Sequence, residues 1–169
     1  MKKDAVTLER IQKLHPQLVA EAENIYNEIC SALQGRAMCR FSHTLRTFKE
    51  QADLFAQGRT KPGKIVTKAN AGLSMHNYGL AIDIVLIVDK DGNGSYESAS
   101  WDMKTDFDGD RKSDWMEVVN IFKQYGWTWG GDWKFHDAPH FEKPFGYSVR
   151  QLLDLYNRKK VDSKNYVLI

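Results

Sequence analysis

The chain has 169 residues, of which 42% are aliphatic, aromatic or cysteine and 27% are charged, a composition that is typical of globular proteins and excludes a disordered chain. Its 24 basic and 22 acidic residues leave a net charge of +2, and no basic block indicates a nucleic-acid partner. No apolar run approaches the roughly 20 residues that a membrane-spanning helix needs. We therefore expect a monomer of one domain, residues 1–169, without nucleic acid and without membrane insertion.

The N-terminal stretch MKKDAVTLERIQKLH has two lysines but no apolar segment after them, so it differs from a secretory signal. We expect synthesis in the cytoplasm without a signal peptide. Cys30 and Cys39 do not form a Cys-x-x-Cys pair, which argues against a thiolate zinc site. Two reduced thiols are favoured over a disulfide between them.

The first half of the chain predicts helices around one strand. Residues 4–34 have apolar side chains at helical spacing, and Pro16 divides them into a short helix and a longer amphipathic one. Residues 37–46 predict a strand. Thr47 then suits the N-cap of a helix, because Glu50 follows it at the spacing of a capping box.

The second half predicts mostly strands. Residues 59–73 are rich in Lys, Thr, Gly and Asn, which indicates a loop. The apolar, β-branched run from Leu80 to Asp89 predicts a central strand, and the KDGNGS that follows predicts a hairpin turn. The remaining predicted elements are a helix capped by Ser113 or Asp114 and ending near Tyr125, short strands at WTWGGDW and HFEK, and a last helix from Tyr147 to Lys160. This order predicts an α+β domain with a small antiparallel sheet flanked by helices.

Two segments, SMHNYGLAID and HDAPHFE, contain the residue types of a metal site. Hydrolytic zinc enzymes use three protein ligands and leave a fourth position open for water. His76, Asp83 and His140 would supply such a set. Asp83 lies within an apolar strand, where an unpaired carboxylate is costly and a metal would be a strong partner. The alternative for Asp83 is a buried hydrogen-bond acceptor without a metal.

Asp137 lies three residues before His140, and Pro139 stiffens the turn between them. A carboxylate at this place could take a proton from the attacking water and pass one to the leaving amine without being a ligand. An ordinary turn residue is the alternative for Asp137.

The pattern S-x-H-x-x-G-x-A-x-D at Ser74–Asp83, together with D-x-P-H-F-E at Asp137–Glu142, resembles the zinc peptidases that cut peptidoglycan stem peptides. These are D-Ala-D-Ala carboxypeptidases and dipeptidases, and L-alanyl-D-glutamate endopeptidases that include phage endolysins. The resemblance covers about residues 36–155 and includes GGDW at Gly130–Trp133. It implies the Hedgehog-like α+β fold, one zinc ion and a stem-peptide substrate.

Residue by residue, the resemblance makes His76, Asp83 and His140 the zinc ligands and Asp137 the general base. Arg46 matches an arginine that the family has on a strand ahead of the first motif, where it binds substrate and polarises the scissile carbonyl. The other matched positions are Ser74 near the substrate and Trp133 and Glu142, which support the ligands or form the pocket wall.

An Asp at position 137, where many D-Ala-D-Ala enzymes have Glu, is similar to the endopeptidase branch. The resemblance therefore implies an L-alanyl-D-glutamate endopeptidase that acts on the cell wall if released, as a phage lysin does, or that recycles wall peptides in the cytosol. The alternatives are D-Ala-D-Ala cleavage and, in another class, a non-catalytic zinc-containing wall-binding module.

Two acidic segments are similar to the twelve-residue calcium loop. Asp89–Ser100 has oxygen ligands at positions 1, 3, 5 and 9 and glycine at 6, but serine stands at position 12 where the loop needs glutamate. Asp106–Glu117 has acids at positions 1, 3, 5, 9 and 12, but Arg111 replaces the glycine at position 6. A hairpin turn and an acidic helix cap are the alternatives, and a Ca²⁺ site stays open for the second segment. His43 and His136 are spare histidines in this scheme; a surface position is favoured for His136, and the alternative is that it assists in the site beside Asp137.

Overall fold

The computed structural model describes residues 3–169, which contain five α-helices and five β-strands. The helices are α1 (Ala5–Ile11), α2 (Pro16–Ala32), α3 (Phe48–Ala56), α4 (Asp114–Gln124) and α5 (Val149–Asn157). The strands are β1 (Ala37–His43), β2 (Ala81–Val88), β3 (Ser98–Ser100), β4 (Thr128–Trp129) and β5 (His140–Glu142). Two 3-10 turns, Met75–Tyr78 and Gly130–Asp132, precede β2 and follow β4. Within residues 3–169 no helix is long and apolar enough to cross a bilayer.

The helix starts follow the local sequence. Pro16 is the first residue of α2, where its missing N–H costs nothing, and this confirms the predicted break between α1 and α2. The capping box of α3 is also confirmed: Thr47 Oγ1 accepts the Glu50 N–H at 3.1 Å, and Glu50 Oε2 accepts the Thr47 N–H at 2.7 Å. Ser113 caps α4 in the predicted place.

The sheet is antiparallel and centred on β2. Strand β1 pairs with β2 over most of its length, from Ala37 opposite Val88 to His43 opposite Asp83. Strands β5 and β3 share the other edge of β2, because β5 pairs with residues 81–83 and β3 with residues 86–88. Strand β4 extends the sheet beyond β5.

Alternation along β2 and β5 separates the core from the opposite face of the sheet. Ile82 and Ile84 are fully buried in the core, so Asp83 between them points to the other side. Phe141 likewise lies in the core, stacked on Phe122 of α4 at 4.2 Å between ring centroids. Its neighbours His140 and Glu142 therefore face the same side as Asp83.

Several elements differ from the sequence prediction. Only Thr128–Trp129 of WTWGGDW is a strand, because the two glycines and Asp132 form a 3-10 turn instead. The connection after β2 is a nine-residue loop, 89–97, rather than a tight hairpin turn. Helix α5 is shorter than predicted, and its N-cap is Ser148. The C-terminal segment packs back onto the start of α2, where the carbonyl of buried Val167 lies 2.9 Å from His15 Nε2. Both cysteines are free thiols, as favoured.

Candidate active site

A 3-10 turn presents His76 just before β2. The turn ends at Gly79, whose φ of 68° lies in the left-handed region, and a Cβ there would come within 2.6 Å of the backbone nitrogen of His15. The His15 N–H donates to the Gly79 carbonyl at 2.9 Å. The glycine of the first motif is thus required by the close approach of the α1–α2 connection.

Asp83 and His140 come from adjacent strands, as direct partners in the β2–β5 pairing. His76 completes the group from the neighbouring turn. His140 Nδ1 lies 3.0 Å from Asp83 Oδ1, and His76 Nε2 lies 3.1 Å from the same oxygen. The two imidazole rings meet edge to face with 5.1 Å between centroids. Both histidines are buried, and one potential ligand atom from each of the three residues lies within 4.8 Å of the others.

The hydrogen bonds of His76 leave one ring nitrogen for a metal. His76 Nδ1 lies 2.7 Å from the Thr44 carbonyl oxygen, which can only accept, so Nδ1 has the hydrogen. In the neutral ring, Nε2 then has a free lone pair. This atom is buried without a hydrogen-bond partner, beside a carboxylate oxygen that is also an acceptor. A proton or a metal cation between these two buried acceptors would remove the cost of leaving them unpaired. A His–Asp–His set with such an atom fits a zinc ion.

His140 is held from its other side by Glu142, whose Oε2 lies 3.0 Å from Nε2. Burial opposes a charge on the imidazole, but hydrogen bonds to Asp83 and Glu142 outweigh it and raise the pKa of His140 to about 9. Burial also raises the pKa of Asp83, yet the adjacent imidazoles of His140 and His76 hold that pKa well below its usual range. The site therefore favours a carboxylate with positive charge beside it.

Arg46 lies after β1, in the segment before α3, and not on a strand as the resemblance implied. Its Nη2 is 3.8 Å from Asp83 Oδ2, and its Nη1 donates to Gln51 Oε1 at 3.0 Å. The Arg46 N–H donates to the His76 carbonyl at 2.9 Å, and Asn77 Nδ2 donates to the Arg46 carbonyl at 2.9 Å. The guanidinium is thus fixed beside the carboxylate of the His–Asp–His group.

Two glycines hold Asp137 in place. The Asp137 N–H donates to the Gly130 carbonyl at 3.0 Å, and a Cβ on Gly130 would lie 2.4 Å from the Asp137 carbonyl oxygen. A Cβ on Gly131 would lie 2.2 Å from the ring of Trp129, whose Nε1 donates to the Ala138 carbonyl at 2.7 Å. The GGDW segment therefore lets the loop before His140 approach the sheet closely.

Asp137, Arg46 and the His–Asp–His group line one cavity of about 860 Å³. The Asp137 side chain is exposed to solvent in it, although partial burial raises the pKa of its carboxyl. Ser74, Trp133 and Glu142 line the same cavity, and the Trp133 ring lies 5.3 Å from that of His140. All eight residues singled out from the sequence thus meet at one place: His76, Asp83, His140, Asp137, Arg46, Ser74, Trp133 and Glu142.

Other residues of the site were missed in the sequence. Gln51 is fully buried and holds Arg46, while its Nε2 donates to the Ala69 carbonyl at 2.6 Å. His43 and His136 are exposed, which was expected only of His136, and both line the cavity. The only sequence signal for His43 is its place at the end of a strand that pairs with β2.

Comparisons with known proteins agree with this geometry. Residues 67–143 match a peptidase M15 family described as D-alanyl-D-alanine carboxypeptidase. The peptidoglycan L-alanyl-D-glutamate endopeptidase CwlK of Bacillus subtilis (strain 168) is 57% identical over 98 residues, which are 57% of this chain and 55% of CwlK. The crystal structure of the Serratia marcescens L-Ala D-Glu endopeptidase ChiX matches with a TM-score of 0.52 and 22% identity, over 83% of this chain and 88% of that chain.

The match to CwlK spans about half the length of that curated relative. The likeness to ChiX confirms the predicted α+β fold with a small antiparallel sheet flanked by helices. M15 peptidases are zinc-dependent in general, and the His–Asp–His group lies inside the matched residues. The family resemblance that the two motifs indicated is thereby confirmed, because residues 67–143 match a peptidase M15 family.

Proposed function

We propose that the chain is a zinc-dependent peptidase that cleaves the L-alanyl-D-glutamate bond of peptidoglycan stem peptides. The observation that supports it most is the buried, unpartnered Nε2 of His76, 3.1 Å from Asp83 and beside His140. This group has the donor set of a three-ligand zinc site with an open position. The name and 57% identity of the CwlK relative support the choice of bond.

His76, Asp83 and His140 would hold the zinc ion, through Nε2, a carboxylate oxygen and Nδ1 respectively. Glu142 accepts a hydrogen bond from the other nitrogen of His140, which orients the ring and makes it a better donor. The Thr44 carbonyl does the same for His76. Zinc bound here would supply a Lewis acid that polarises the scissile carbonyl and lowers the pKa of water.

Asp137 is the proposed general base. Its carboxylate is open to solvent in the cavity and accepts no hydrogen bond from the rest of residues 3–169, so it is free to take a proton from the attacking water. As the water oxygen bonds to the carbonyl carbon, that proton moves to Asp137. It is then given to the amine nitrogen as the carbon–nitrogen bond breaks. The raised pKa of Asp137 suits both transfers.

Arg46 is proposed to stabilise the negative charge that develops on the carbonyl oxygen. Its guanidinium is held by Gln51 at 3.0 Å and by the backbone bonds to the His76 turn, so it needs little reorganisation when that charge forms. Trp133 and Ser74 line the cavity where the peptide on either side of the bond would lie.

A second candidate bond is D-Ala-D-Ala, which the description of the matched family favours. Defined muropeptides that contain both bonds separate the two. We expect mass spectrometry of the products to show that the zinc-loaded protein cleaves the L-Ala–D-Glu bond and that Asp137→Asn does not. Loss of terminal D-Ala alone would support the carboxypeptidase. Tight binding of muropeptide with neither cleavage would support a wall-binding module.

A further inference from the structure

A second acidic cluster lies away from the proposed zinc ligands, between β3 and α4. It consists of Asp106, Asp108, Asp110, Asp114 and Glu117, and we refer to it as the α4 acidic loop. These acids stand at positions 1, 3, 5, 9 and 12 of a twelve-residue segment, the positions from which a calcium loop supplies its side-chain ligands. Asp114 and Glu117 belong to the first turn of α4.

The backbone conformation of the loop is compatible with the one residue that departs from the calcium-loop pattern. Arg111 stands where calcium loops have glycine, and its φ of 76° lies in the left-handed region that the glycine normally adopts. Its N–H donates to Asp106 Oδ2 at 2.8 Å, and the Gly109 N–H donates to Asp106 Oδ1 at 2.6 Å. Arg111 therefore does not prevent the turn that this position requires.

The buried carboxylates of the loop are incompletely paired. Asp114 has no exposed surface; its Oδ1 accepts the Phe107 N–H at 2.9 Å, but its Oδ2 has no partner. Asp108 Oδ2 and Glu117 Oε2 are buried without a partner as well. One carboxylate oxygen from each of Asp106, Asp108 and Asp114 lies within 4.8 Å of the others. Buried acceptors that face one another in this way need a cation.

The pKa values of these carboxyl groups also favour a cation in the loop. Burial, followed by the nearby charges of Asp108 and Asp106, raises the pKa of Asp114 to about 6. Burial and neighbouring carboxylates also raise the pKa values of Asp108 and Glu117. Asp108, Asp114 and Glu117 are therefore harder to ionise in the folded protein than in water, and a divalent cation would remove that cost.

We propose that the α4 acidic loop binds one calcium ion. Every side-chain donor is a carboxylate oxygen, which suits a hard cation and not the nitrogen and sulfur preference of zinc. Asp106, Asp108, Asp110, Asp114 and Glu117 supply the side-chain oxygens, and the Lys112 carbonyl stands at position 7, where calcium loops use the backbone. The ion would join the loop to the first turn of α4.

Lys112 supplies part of the positive charge that offsets the carboxylates of the loop. Its Nζ lies 2.9 Å from Asp110 Oδ2 and 3.7 Å from Glu117 Oε1, and its side chain is 67% exposed. When an ion binds, the ammonium is released to solvent, which costs little for an exposed side chain. Lys112→Gln removes this competitor and should bind calcium more tightly than the wild type.

The loop after β2, residues 89–97, provides a matched control. Asp89 is buried, but its two oxygens accept the N–H groups of Gly92, Asn93 and Gly94 at 2.7–3.1 Å. One carboxylate oxygen from each of Asp89, Asp91 and Glu97 also lies within 4.8 Å of the others, but these acids are not among the buried unpartnered groups of residues 3–169, and Ser100 stands at position 12. We therefore place no ion there, and Asp91→Asn changes an equivalent carboxylate outside the proposed site.

The test is a titration of the full chain with calcium chloride, after calcium has been removed with EGTA and zinc restored. We expect isothermal titration calorimetry to give one calcium per chain with a Kd of about 10⁻³ M or tighter, and the melting temperature to rise with calcium. Asp108→Asn and Glu117→Gln should each weaken binding at least tenfold. Asp91→Asn should match the wild type, and so should His76→Ala, because calcium does not use the zinc ligands.

Terbium luminescence, sensitised by Trp115 next to Asp114, gives a second readout that does not depend on stability. Calcium should compete terbium off the protein, and Lys112→Gln should shift both titrations to lower metal concentration. The proposal is overturned if 10 mM calcium produces neither heat nor a melting shift. It is also overturned if Asp91→Asn weakens binding as much as Asp108→Asn, or if His76→Ala abolishes it. Failure here would leave the proposed peptidase function untouched.

Discussion

Two carboxylates, Asp137 and Glu142, lie near His140, and only one of them can be the general base. The informative changes are Asp137→Asn and Glu142→Gln, which remove a charge while they keep the size of the side chain. The Asp137 carboxylate has no hydrogen bond within residues 3–169, whereas Glu142 Oε2 lies 3.0 Å from His140 Nε2. The two variants should therefore fail in different ways.

Asp137→Asn should keep the fold and the zinc but lose turnover. General-base catalysis contributes about 10²–10⁴-fold, so the activation free energy should rise by about 3–5 kcal/mol. Glu142→Gln loses the charge that strengthens the His140 hydrogen bond. Loss of the hydrogen-bond partner of a metal-binding histidine lowers metal affinity about 10–100-fold, a deficit that added zinc can overcome.

The assay measures zinc content and turnover on a defined muropeptide over a series of free zinc concentrations. Turnover by Glu142→Gln should recover as zinc rises, while turnover by Asp137→Asn should stay low at every concentration. The reasoning is refuted if Glu142→Gln stays inactive with a full zinc complement while Asp137→Asn turns over nearly as fast as the wild type. Glu142 would then be the base.

Three other predictions concern residues around the two sites. Arg46→Ala should keep zinc and fold but lose most turnover, and Arg46→Lys should restore only part of it because lysine lacks the planar fork; a normal rate in Arg46→Ala would move the role elsewhere. Gly130→Ala should lower the rate at least tenfold, because its Cβ would lie 2.4 Å from the Asp137 carbonyl oxygen, whereas Gly126→Ala, at an open turn with φ of 77°, should lower the melting temperature and leave the rate unchanged. In calcium-free protein, urea unfolding should show the stability of the wild type falling relative to that of Asp114→Asn as the pH rises from about 4 to about 6, because the folded state binds the Asp114 proton more tightly than the unfolded state does; a constant difference between the two would contradict this.

Local chemistry explains what could be predicted from the sequence. Thr47 and Glu50 satisfy each other's backbone groups within four residues, so the start of α3 is visible without any tertiary information. The apolar run of β2 needs burial on both faces and therefore marks the centre of the sheet. The proposed zinc ligands were identified through spacing and resemblance, because only the family relates His76 and Asp83 to the distant His140.

What the sequence does not show depends on contacts between distant segments. Gly130 and Gly131 occur in a stretch that has the residue types of a strand, and the reason for their 3-10 turn is the approach of Asp137 and the Trp129 ring. The role of Gln51 depends on meeting Arg46 and Ala69 inside the protein, which no local pattern indicates. His43 reaches the site through strand register, and that register includes an irregularity between Phe41 and His43.

The direct pairing of Asp83 with His140 also has a consequence for native-state amide exchange. Strand β5 has three residues and β4 has two, so this edge of the sheet rests on few backbone hydrogen bonds. Ligands on β2, on β5 and in the turn before β2 would make the ion a cross-link across that edge. In metal-free protein, amides of residues 140–142 should exchange through local opening well before those in the β1–β2 pair, because β1 packs on α1 and α2. Loss of the proposed metal would then open this edge of the sheet while most of the chain stays folded.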